Sequence, residues 1–429
     1  MKNVAVLGVS GRQSAIVWKL AQSPSIETIY FIPGNILQVD KAVSVSIDYH
    51  DWEQIDTFLK DKNIAYIIPD GGDMYADGVV DFFTARGYKV FGPTQTASKL
   101  EHSKIFSKGF MKKYGIPTVS YEAFGSYPDA KEFIEQNSTY PIVIKADGLV
   151  RGRGVTIAQT HDEALEVLEE LFINQIFGDA GLQVVIEDFA VGPEVSLHVL
   201  CDGASYKILP LAQDHKPLYE GNKGPNTGGM GTYAPVDWVP SDLHTEIEET
   251  IIKPTLAGLQ AEGIEFTGLL FPGLMLTKDG PIVLEYNTRF GAPETQSLMM
   301  LLDSDLDELF EASVHKRLDS IDLRWKNKYA TTIEVVDDGY PQDLRGRDTE
   351  IIVNDELHFD GQIFLTGVVK VDQQLRTKGA RIASVTGIGD SLSSALDEAY
   401  KGVSLLSFEG KYYRKDIGKI PHDIPKRTN

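Results

Sequence analysis

The chain has 429 residues, 41 of them lysine or arginine against 62 aspartate or glutamate, for a formal net charge of −21. Such an excess of negative charge argues against a nonspecific nucleic-acid or anionic-membrane binder, so any anionic ligand must be met by a local cluster of positive groups. Cys201 is the single cysteine, which excludes an intrachain disulfide and a Cys-rich zinc site.

Residues 1–100 alternate strand and helix. "NVAVLGV" reads as a buried strand, "RQSAIVWKLAQS" as a helix and "IETIYFIPGN" as a second strand. "WEQIDTFLKDKN", "IAYIIPDGGD", "GVVDFFTARG" and "YKVFGPT" continue as helix, strand, helix and strand. This order predicts an α/β unit with a parallel, doubly wound sheet, whose ligands sit at the carboxyl ends of the strands. Those ends are Gly8–Arg12, Pro33–Asn35 and Asp70–Asp73. The opening "MKNVAVLGVS" is a strand and turn rather than a signal peptide, and no apolar run reaches about 18 residues. The expectation is a cytoplasmic protein with no membrane or nucleic-acid partner.

Residues 120–190 read as a smaller α+β unit containing the helix "HDEALEVLEELF" and the strand "LQVVIEDF". From about 191 to 320 strands dominate: "EVSLHVLCDG", "ASYKILPLAQDHK", "TGLLFPGLMLTKDG" and "PIVLEYNTRFG". One long helix, "SDLHTEIEETIIKPTLAGLQAEG", interrupts them. The tail, 326–429, reads as short strands, many turns and the helix "SLSSALDEAYKGVSLL". Cys201 ends a strand and reads as a small buried residue rather than a nucleophile.

Six segments bear on the chemistry. "GVSGR" is a glycine turn at a helix N-terminus, where free N–H groups attract an anion and Arg12 adds a fixed charge; a tight structural turn explains it equally. "PGN" after the second strand offers no acid to hold a ribose, which disfavours a dinucleotide coenzyme. "YPIVIKADGLVRGRGVTIAQT" places Lys145 at a strand end beside a glycine loop, a pairing suited to nucleotide phosphates, with a solvated hairpin as the bland alternative. It lacks the spacing of a Walker A loop. "VVIEDFAVGPEVSL" sets Glu187 and Glu194 around a turn, as acceptors for a nucleoside or as a solvated surface pair. "QDHKPLYEGNKGPNTGGMGTYAP" is unusually long for an idle connection; His215 within it is a general base or a positional histidine. In "VLEYNTRFGAPETQ", Glu285 and Asn287 are two apart on a strand and face one side. They supply the hard oxygen ligands that Mg²⁺ takes when it bridges phosphates, and alternation puts Arg289 on the same face.

Taken in register, "PGN", "FGPT", "KADGL", "QDHK", "GPNTGGMG", "EYNTRFG" with "PETQ", and "YYRKDIG" resemble the ATP-grasp ligases. Within them they resemble the phosphoribosylamine–glycine ligase (glycinamide ribonucleotide synthetase) family, end to end. The resemblance implies an N-terminal pre-ATP-grasp domain at 1–101 and an ATP-grasp core at 102–120 and 191–325. It also implies a small α+β lid at 121–190 and a mixed, β-rich C-terminal domain at 326–429. Lys104, Lys145, Gly148, Gly152, Arg153 and Gly154 would meet ATP phosphates, and Glu187, Phe189 and Glu194 its nucleoside. Glu285 and Asn287 would hold Mg²⁺ or Mn²⁺. Asp214, Lys216, Asn226, Thr227, Gly228 and Arg289 would meet the carboxylic substrate and its activated form. Gly11, Arg12, Pro33, Gly34 and Asn35 would meet a phosphoribosyl amine. Lys145, Asp214 and Arg289 are the implied catalytic groups.

The implied reaction phosphorylates a carboxylate with ATP, releases ADP, and lets an amine displace phosphate from the acyl phosphate. Glycine and 5-phosphoribosylamine, as in purine synthesis, are the leading pair, with small molecules the only partners and the chain a monomer or small homo-oligomer. The chain departs from the family pattern at Gln13 and Ser14 ("GRQSA" for "GREHA"), at Asp70–Gly72 ("DGG" for "GPE"), at Arg153, at Ala292 ("GAPET" for "GDPET") and at Ala380. Most of these fall where the two organic substrates would sit. A divergent ligase joining another acid to another amine is therefore the rival, and a nucleotide-binding protein without ligase activity is the rival of a different class.

Overall fold

The computed structural model describes residues 1–35, 39–150, 154–354 and 357–419. Its first unit is built on β1 (Lys2–Gly8), α1 (Gly11–Leu20), β2 (Ile26–Pro33), β3 (Ala42–Ser44), α2 (Trp52–Leu59) and β4 (Ile64–Pro69), with α3 (Gly72–Asp77) and α4 (Val79–Ala85) following. The four strands form a parallel sheet in the order β3-β2-β1-β4. Val4 to Leu7 are fully buried, the unbroken apolar run expected of a strand covered on both faces. Three details differ from the sequence expectation, the first being that the strand "IAYIIPDGGD" stops at Pro69 and its end begins the additional helix α3. The short edge strand β3 adds to the expected strands, and "YKVFGPT" contributes only the single bridge Ile67–Val90. Pro93 has no N–H to extend the ladder.

After α5 (Lys99–His102) and α6 (Lys104–Tyr114), a small unit forms from β5 (Tyr121–Phe124), α7 (Tyr127–Gln136), β6 (Ile142–Ala146), β7 (Val155–Ala158), α8 (His161–Leu168) and β8 (Val184–Asp188). Its antiparallel sheet runs β5-β8-β6-β7. Ile142, Ile144 and Ala146 pack into a core with Ala164, Leu168 and Ile186. Alternation along β6 therefore turns Lys145 to the opposite face.

The chain continues as β9 (Glu194–Ser196), β10 (Val199–Asp202), β11 (Tyr206–Ile208), β12 (Gln213–Asp214), β13 (Pro217–Tyr219), β14 (Lys223–Asn226) and β15 (Gly231–Ala234). Then come α9 (Ser241–Ile247) and α10 (Lys253–Ala261), joined by a π-helical turn at Glu248–Ile252, β16 (Thr267–Thr277), β17 (Gly280–Asn287), α11 (Glu294–Leu301) and α12 (Leu306–Val314). β11, β10, β16 and β17 lie side by side, with β9 also on β16. "EVSLHVLCDG", expected as one strand, is divided between β9 and β10. The long polar loop holds a hairpin, β13–β14.

The last part comprises β18 (Tyr329–Asp337), β19 (Glu350–Val353), β20 (Gly361–Leu365), β21 (Val368–Val371), β22 (Gln374–Thr377), β23 (Arg381–Gly389), α13 (Leu392–Ser404), β24 (Leu406–Ser407) and β25 (Lys411–Tyr412). Its main sheet runs β12-β15-β18-β23-β20, with β25 on β18. That sheet starts on strands from before residue 235, so the tail is built onto the central part by backbone pairing.

Two ladder irregularities lie where strands approach the cavity. Between β16 and β17, Gly273 pairs with Glu285 and Leu274 with Val283, which leaves Leu284 out of the ladder. Between β18 and β23, Val335 pairs with Ala383 and Val336 with Arg381, leaving out Ile382. Such bulges re-aim side chains.

Candidate active site

A cavity of about 540 Å³ opens between β17, α6, the small antiparallel unit and the start of β23. Its first wall is cationic. Lys104 and Lys108 are four apart on α6 and share a face. Lys104 Nζ donates to Gly148 O (3.1 Å), and Lys145 Nζ donates to Leu284 O (3.0 Å), the carbonyl exposed by the bulge. Glu187, only 3% exposed, lies between Lys145 (2.9 Å) and Lys108 (3.2 Å). Lys108 also donates to Thr118 Oγ1 (2.7 Å). Asp147, inside "KADGL", accepts from Ile105 N (3.0 Å) and Ser103 Oγ (3.2 Å), which ties the β6–β7 loop to the first turn of α6.

Glu285 stands in the middle of this wall. Burial pushes its carboxyl up, but Lys216, Lys145, Lys104 and Arg289 together pull it down to about 2. It is therefore ionised at any working pH. Asn287 Oδ1 accepts from Arg289 Nη2 (2.9 Å). Among the described residues no cluster of three or more His, Cys, Asp and Glu could cage a metal ion. Glu285 and Asn287 present two hard oxygens on one face of β17. That donor set fits a cation that keeps water and phosphate oxygens as its other ligands, as Mg²⁺ does.

The second wall carries three arginines, each held from behind by one acid. Arg12 Nε meets Asp70 Oδ2 (2.7 Å), Arg289 Nε meets Glu101 Oε1 (3.0 Å) and Arg381 Nε meets Glu334 Oε2 (3.2 Å). The acids are 0%, 7% and 2% exposed and the arginines 15%, 24% and 25%, so in every pair the guanidinium is the solvent-facing member. Asp70 also accepts from Phe290 N (3.2 Å), and Glu101 from Thr288 N (2.9 Å) and Oγ1 (3.0 Å).

Sequence reasoning singled out Arg12 and Arg289 but not Arg381, Lys108 or the acids Glu101 and Glu334. Lys108 had a signal, its spacing from Lys104. The acids had none, because each belongs to a distant segment.

Of the other expected residues, Gly148, Gly154 and Gly228 line the cavity; Gly152 and Arg153 lie outside the described residues. Asp214 adjoins it: a Cβ on Gly229 would stand 2.6 Å from Asp214 Oδ1. Burial, and then the carboxylate of Glu294, push Asp214 well above the usual carboxylate range. Lys216 pairs with Glu194; despite burial, Glu194 and Glu285 keep it firmly protonated. Thr227 Oγ1 donates to Lys216 O (2.8 Å), whereas Asn226 and Phe189 are exposed and line no part of the cavity.

At the start of α1, a Cβ on Gly11 would stand 2.8 Å from Ser384 Oγ and 2.9 Å from Gln296 Nε2, so the N-terminus of α1 abuts the central and C-terminal parts directly. Asn35 Nδ2 donates to Ser14 Oγ (2.8 Å) and Leu365 O (2.9 Å), and Pro33 and Gly34 close β2 just before it. His215 is positional: its Nδ1 meets Gly231 O (3.1 Å) and its Nε2 accepts from Gly418 N (3.1 Å). Cys201 is 1% exposed, and burial pushes its thiol well up, which removes it as a nucleophile.

The departures from the family pattern are not scattered. Gln13 Nε2 donates to Asp70 O, and Arg12 pairs with the Asp70 carboxylate, so the changes at 13 and 70 touch. Ala292 lines the cavity, and Ala380 is buried beside Arg381 with Met230 and Tyr340.

Comparison with known proteins gives three adjoining family matches. The phosphoribosylglycinamide synthetase N domain matches residues 2–101, its ATP-grasp (A) domain residues 102–295 and its C domain residues 330–420. The phosphoribosylamine–glycine ligase of Neisseria meningitidis serogroup A is 41% identical over 96% of this chain and 97% of the relative. A bifunctional purine biosynthetic protein of Pichia angusta is 44% identical over 97% of this chain, and the chain spans about half (53%) of that relative. The crystal structure of phosphoribosylamine–glycine ligase from Thermotoga maritima superposes with a TM-score of 0.83 at 34% identity, covering 97% of this chain and 100% of the other. The biotin carboxylase domain of Hydrogenobacter thermophilus 2-oxoglutarate carboxylase, solved with MgADP and bicarbonate, superposes at 0.70 and 16% identity over 96% of this chain and 91% of that one, a likeness of fold alone.

Proposed function

The chain belongs to the phosphoribosylglycinamide synthetase family, and on that premise we propose that its cavity joins glycine to 5-phosphoribosylamine with ATP, releasing ADP and phosphate. The carrying observation is Glu285, one carboxylate held at about 2 among four cationic groups. A chain with a net charge of −21 concentrates positive charge here, which suits a triphosphate accompanied by a divalent cation.

Lys104 and Lys145 would take the phosphates and Glu187 the amino group of the base. Glu194, on Lys216, would take the ribose, with residues 121–190 as the cover and 102–120 with 191–325 as the body. Glu285 and Asn287 would hold Mg²⁺, with Mn²⁺ as a substitute. Bound there, the metal would neutralise charge gathering on the transferring phosphoryl group. Arg289, kept cationic by Glu101, would steady the carboxylate as it becomes an acyl phosphate. Its role is positioning and charge stabilisation. Asp214 would take the ammonium of the amino acid. Burial and Glu294 raise its pKa, so rising pH favours the carboxylate form that an ammonium needs. Gly11, Arg12 and Asn35 would receive the phosphoribosyl amine. Closing the cover excludes water, which would otherwise hydrolyse the acyl phosphate.

The test is ADP release with Mg²⁺–ATP across a panel of amino acids and amines. Turnover confined to glycine with phosphoribosylamine is the expected result, with Glu285→Gln lowering kcat about 10²- to 10³-fold. Ala292, a methyl on the wall where the family pattern has a carboxylate, favours one second reading, a different acid substrate. Turnover with another pair would establish it in place of the first.

A further inference from the structure

Two of the three acid-backed arginines, Arg12 and Arg289, have a place in the proposed ligase reaction. The third, Arg381, has none. It is the first residue of β23, directly after the buried Ala380. Arg381 and Ser384 are three apart, a spacing that sends side chains to opposite faces of a regular strand. The bulge that leaves Ile382 out of the ladder removes one residue from that count. Both side chains thus reach Glu334: Arg381 through Nε at 3.2 Å, and Ser384 through its hydroxyl.

A structural staple accounts for only part of this guanidinium. Nε is taken by Glu334, and Nη2 donates to Gly229 O (3.2 Å). Among the described residues Nη1 has no hydrogen-bond partner. It lies 2.9 Å from the position a Cβ on Gly228 would occupy, and both Gly228 and Arg381 line the cavity. Glycine at 228 is what leaves room for the guanidinium to come this close. On the far side of Gly229, Asp214 Oδ1 stands at 2.6 Å from that residue's own Cβ position. Two successive glycines thus separate a carboxylate that can accept an ammonium from a guanidinium that can donate to an oxyanion.

We infer that Arg381 is an oxyanion-binding residue of this cavity, donating through Nη1 to a carboxylate or phosphomonoester group of an organic substrate. Its nearness to Asp214 favours the carboxylate of the amino acid whose ammonium Asp214 holds. In that arrangement Arg381 and Arg289 flank the reacting carboxylate. The C-terminal part then supplies a substrate contact rather than only a lid to the sheet. The inference rests on the ligase reading of the same cavity.

The experiment is steady-state kinetics of Arg381→Met and Arg381→Lys. ATP, glycine and phosphoribosylamine (formed in situ from ribose 5-phosphate and ammonia) are varied one at a time, alongside ATP binding by equilibrium dialysis and thermal unfolding. Loss of one charge-assisted contact predicts a KM for one organic substrate raised about 10- to 100-fold in Arg381→Met. The KM and dissociation constant for ATP should stay within about threefold, and Arg381→Lys should recover part of the loss. A rise for glycine assigns the carboxylate, and a rise for phosphoribosylamine the phosphomonoester.

Gly228→Ala keeps the ion pair and displaces only Nη1. It should raise the same KM by less, which keeps the inference testable if Arg381→Met does not fold. Unchanged KM values for both organic substrates, or a parallel rise for all three with ATP, would leave Arg381 a staple and overturn the inference. The wild type in the same assay separates the two claims. If it turns over a different acid–amine pair, the ligase substrates are wrong and the Arg381 comparison is made on that pair. If it turns over none, both readings fall.

Discussion

Lys108 belongs to no motif, yet it shapes the cationic wall of the cavity through Glu187. Burial lowers its pKa to about 8, Glu187 opposing and Lys145 reinforcing the shift. An unfolded chain would hold that proton to near 10.5. Between about 8 and 10.5 the unfolded state therefore binds the extra proton, and this group's contribution to stability rises with pH. Function runs the other way. Above about 8, Lys108 becomes neutral and Glu187 keeps only Lys145 as a charged partner, which draws Lys145 away from a phosphate. The KM for ATP should thus climb as pH passes through about 8 in the wild type. In Lys108→Met it should start several-fold higher and stay flat across pH 7 to 9.5. A flat wild-type profile would show that Lys108 does not act through its charge. The acids behind the arginines make a related point: Asp70, Glu101 and Glu334 stand 58, 188 and 47 positions from Arg12, Arg289 and Arg381. No local spacing could have paired them.

Among the elements, the hairpin β13–β14 precedes Thr227 and Gly228 and is held by the tail. Arg414 is fully buried; its Nη1 donates to Pro217 O (2.8 Å), its Nη2 to Asn222 Oδ1 (3.0 Å), and its Nε and Nη2 to Asp416 (2.8 and 2.9 Å). Asp416 in turn accepts from Gly221 N (2.7 Å). "YYRKDIG" is thus a clamp on the loop that its sequence marked as unusually long for an idle connection. Removing one partner of such a pair strands the other charge, so Arg414→Met should lose about 3 kcal/mol of stability. Urea midpoints should fall with little change in slope, and cleavage by a protease within Pro217–Asn226 should quicken. An unshifted midpoint would mean the hairpin stands without the clamp. The bulges on β17 and β23 act at the same scale, since each takes one residue out of a ladder and aims a neighbour at the cavity.

The whole molecule is joined across its parts more tightly than a string of modules would be. One core cluster runs from Val4, Val6 and Phe31 of the N-terminal sheet to Phe290, Leu298 and Phe310 of the central part. The six-stranded sheet passes from β12 and β15 into the tail. At the seam between the N-terminal sheet and α12, Asp307, 1% exposed, accepts from Tyr66 Oη (2.6 Å) and Ser25 Oγ and pairs with Lys2 (2.9 Å). Asp307→Ala leaves the Tyr66 hydroxyl buried without its acceptor and should lose about 2–3 kcal/mol. Tryptophan fluorescence, with Trp18 and Trp52 reporting on the N-terminal part, and far-UV circular dichroism should shift together. A shift in fluorescence alone would show the N-terminal sheet to be an independent unit. The small antiparallel unit keeps its own core and meets α6 and β17 through polar contacts such as Lys104–Gly148, Asp147–Ile105, Lys145–Leu284 and the buried Lys108–Glu187 pair.

The amino-acid order by itself determined whatever is contiguous. The apolar run Val4–Leu7 specified a doubly covered strand, and period-two alternation put Glu285 and Asn287 on one face. A strand-end Lys145 beside glycines marked the cationic wall of the cavity. These features are legible because side-chain alternation and backbone freedom act over a few residues. Only the tertiary structure decided that "YKVFGPT" would make one bridge, that the polar loop would be a clamped hairpin, and that Gln13 would meet Asp70. It alone brought Arg381 from the far end of the chain to Gly228. Contacts of that kind depend on how buried faces pack and on which residue a bulge leaves unpaired. Both are settled by neighbours outside the local stretch, from a dozen positions away across the β16–β17 bulge to nearly two hundred at the Arg414 clamp.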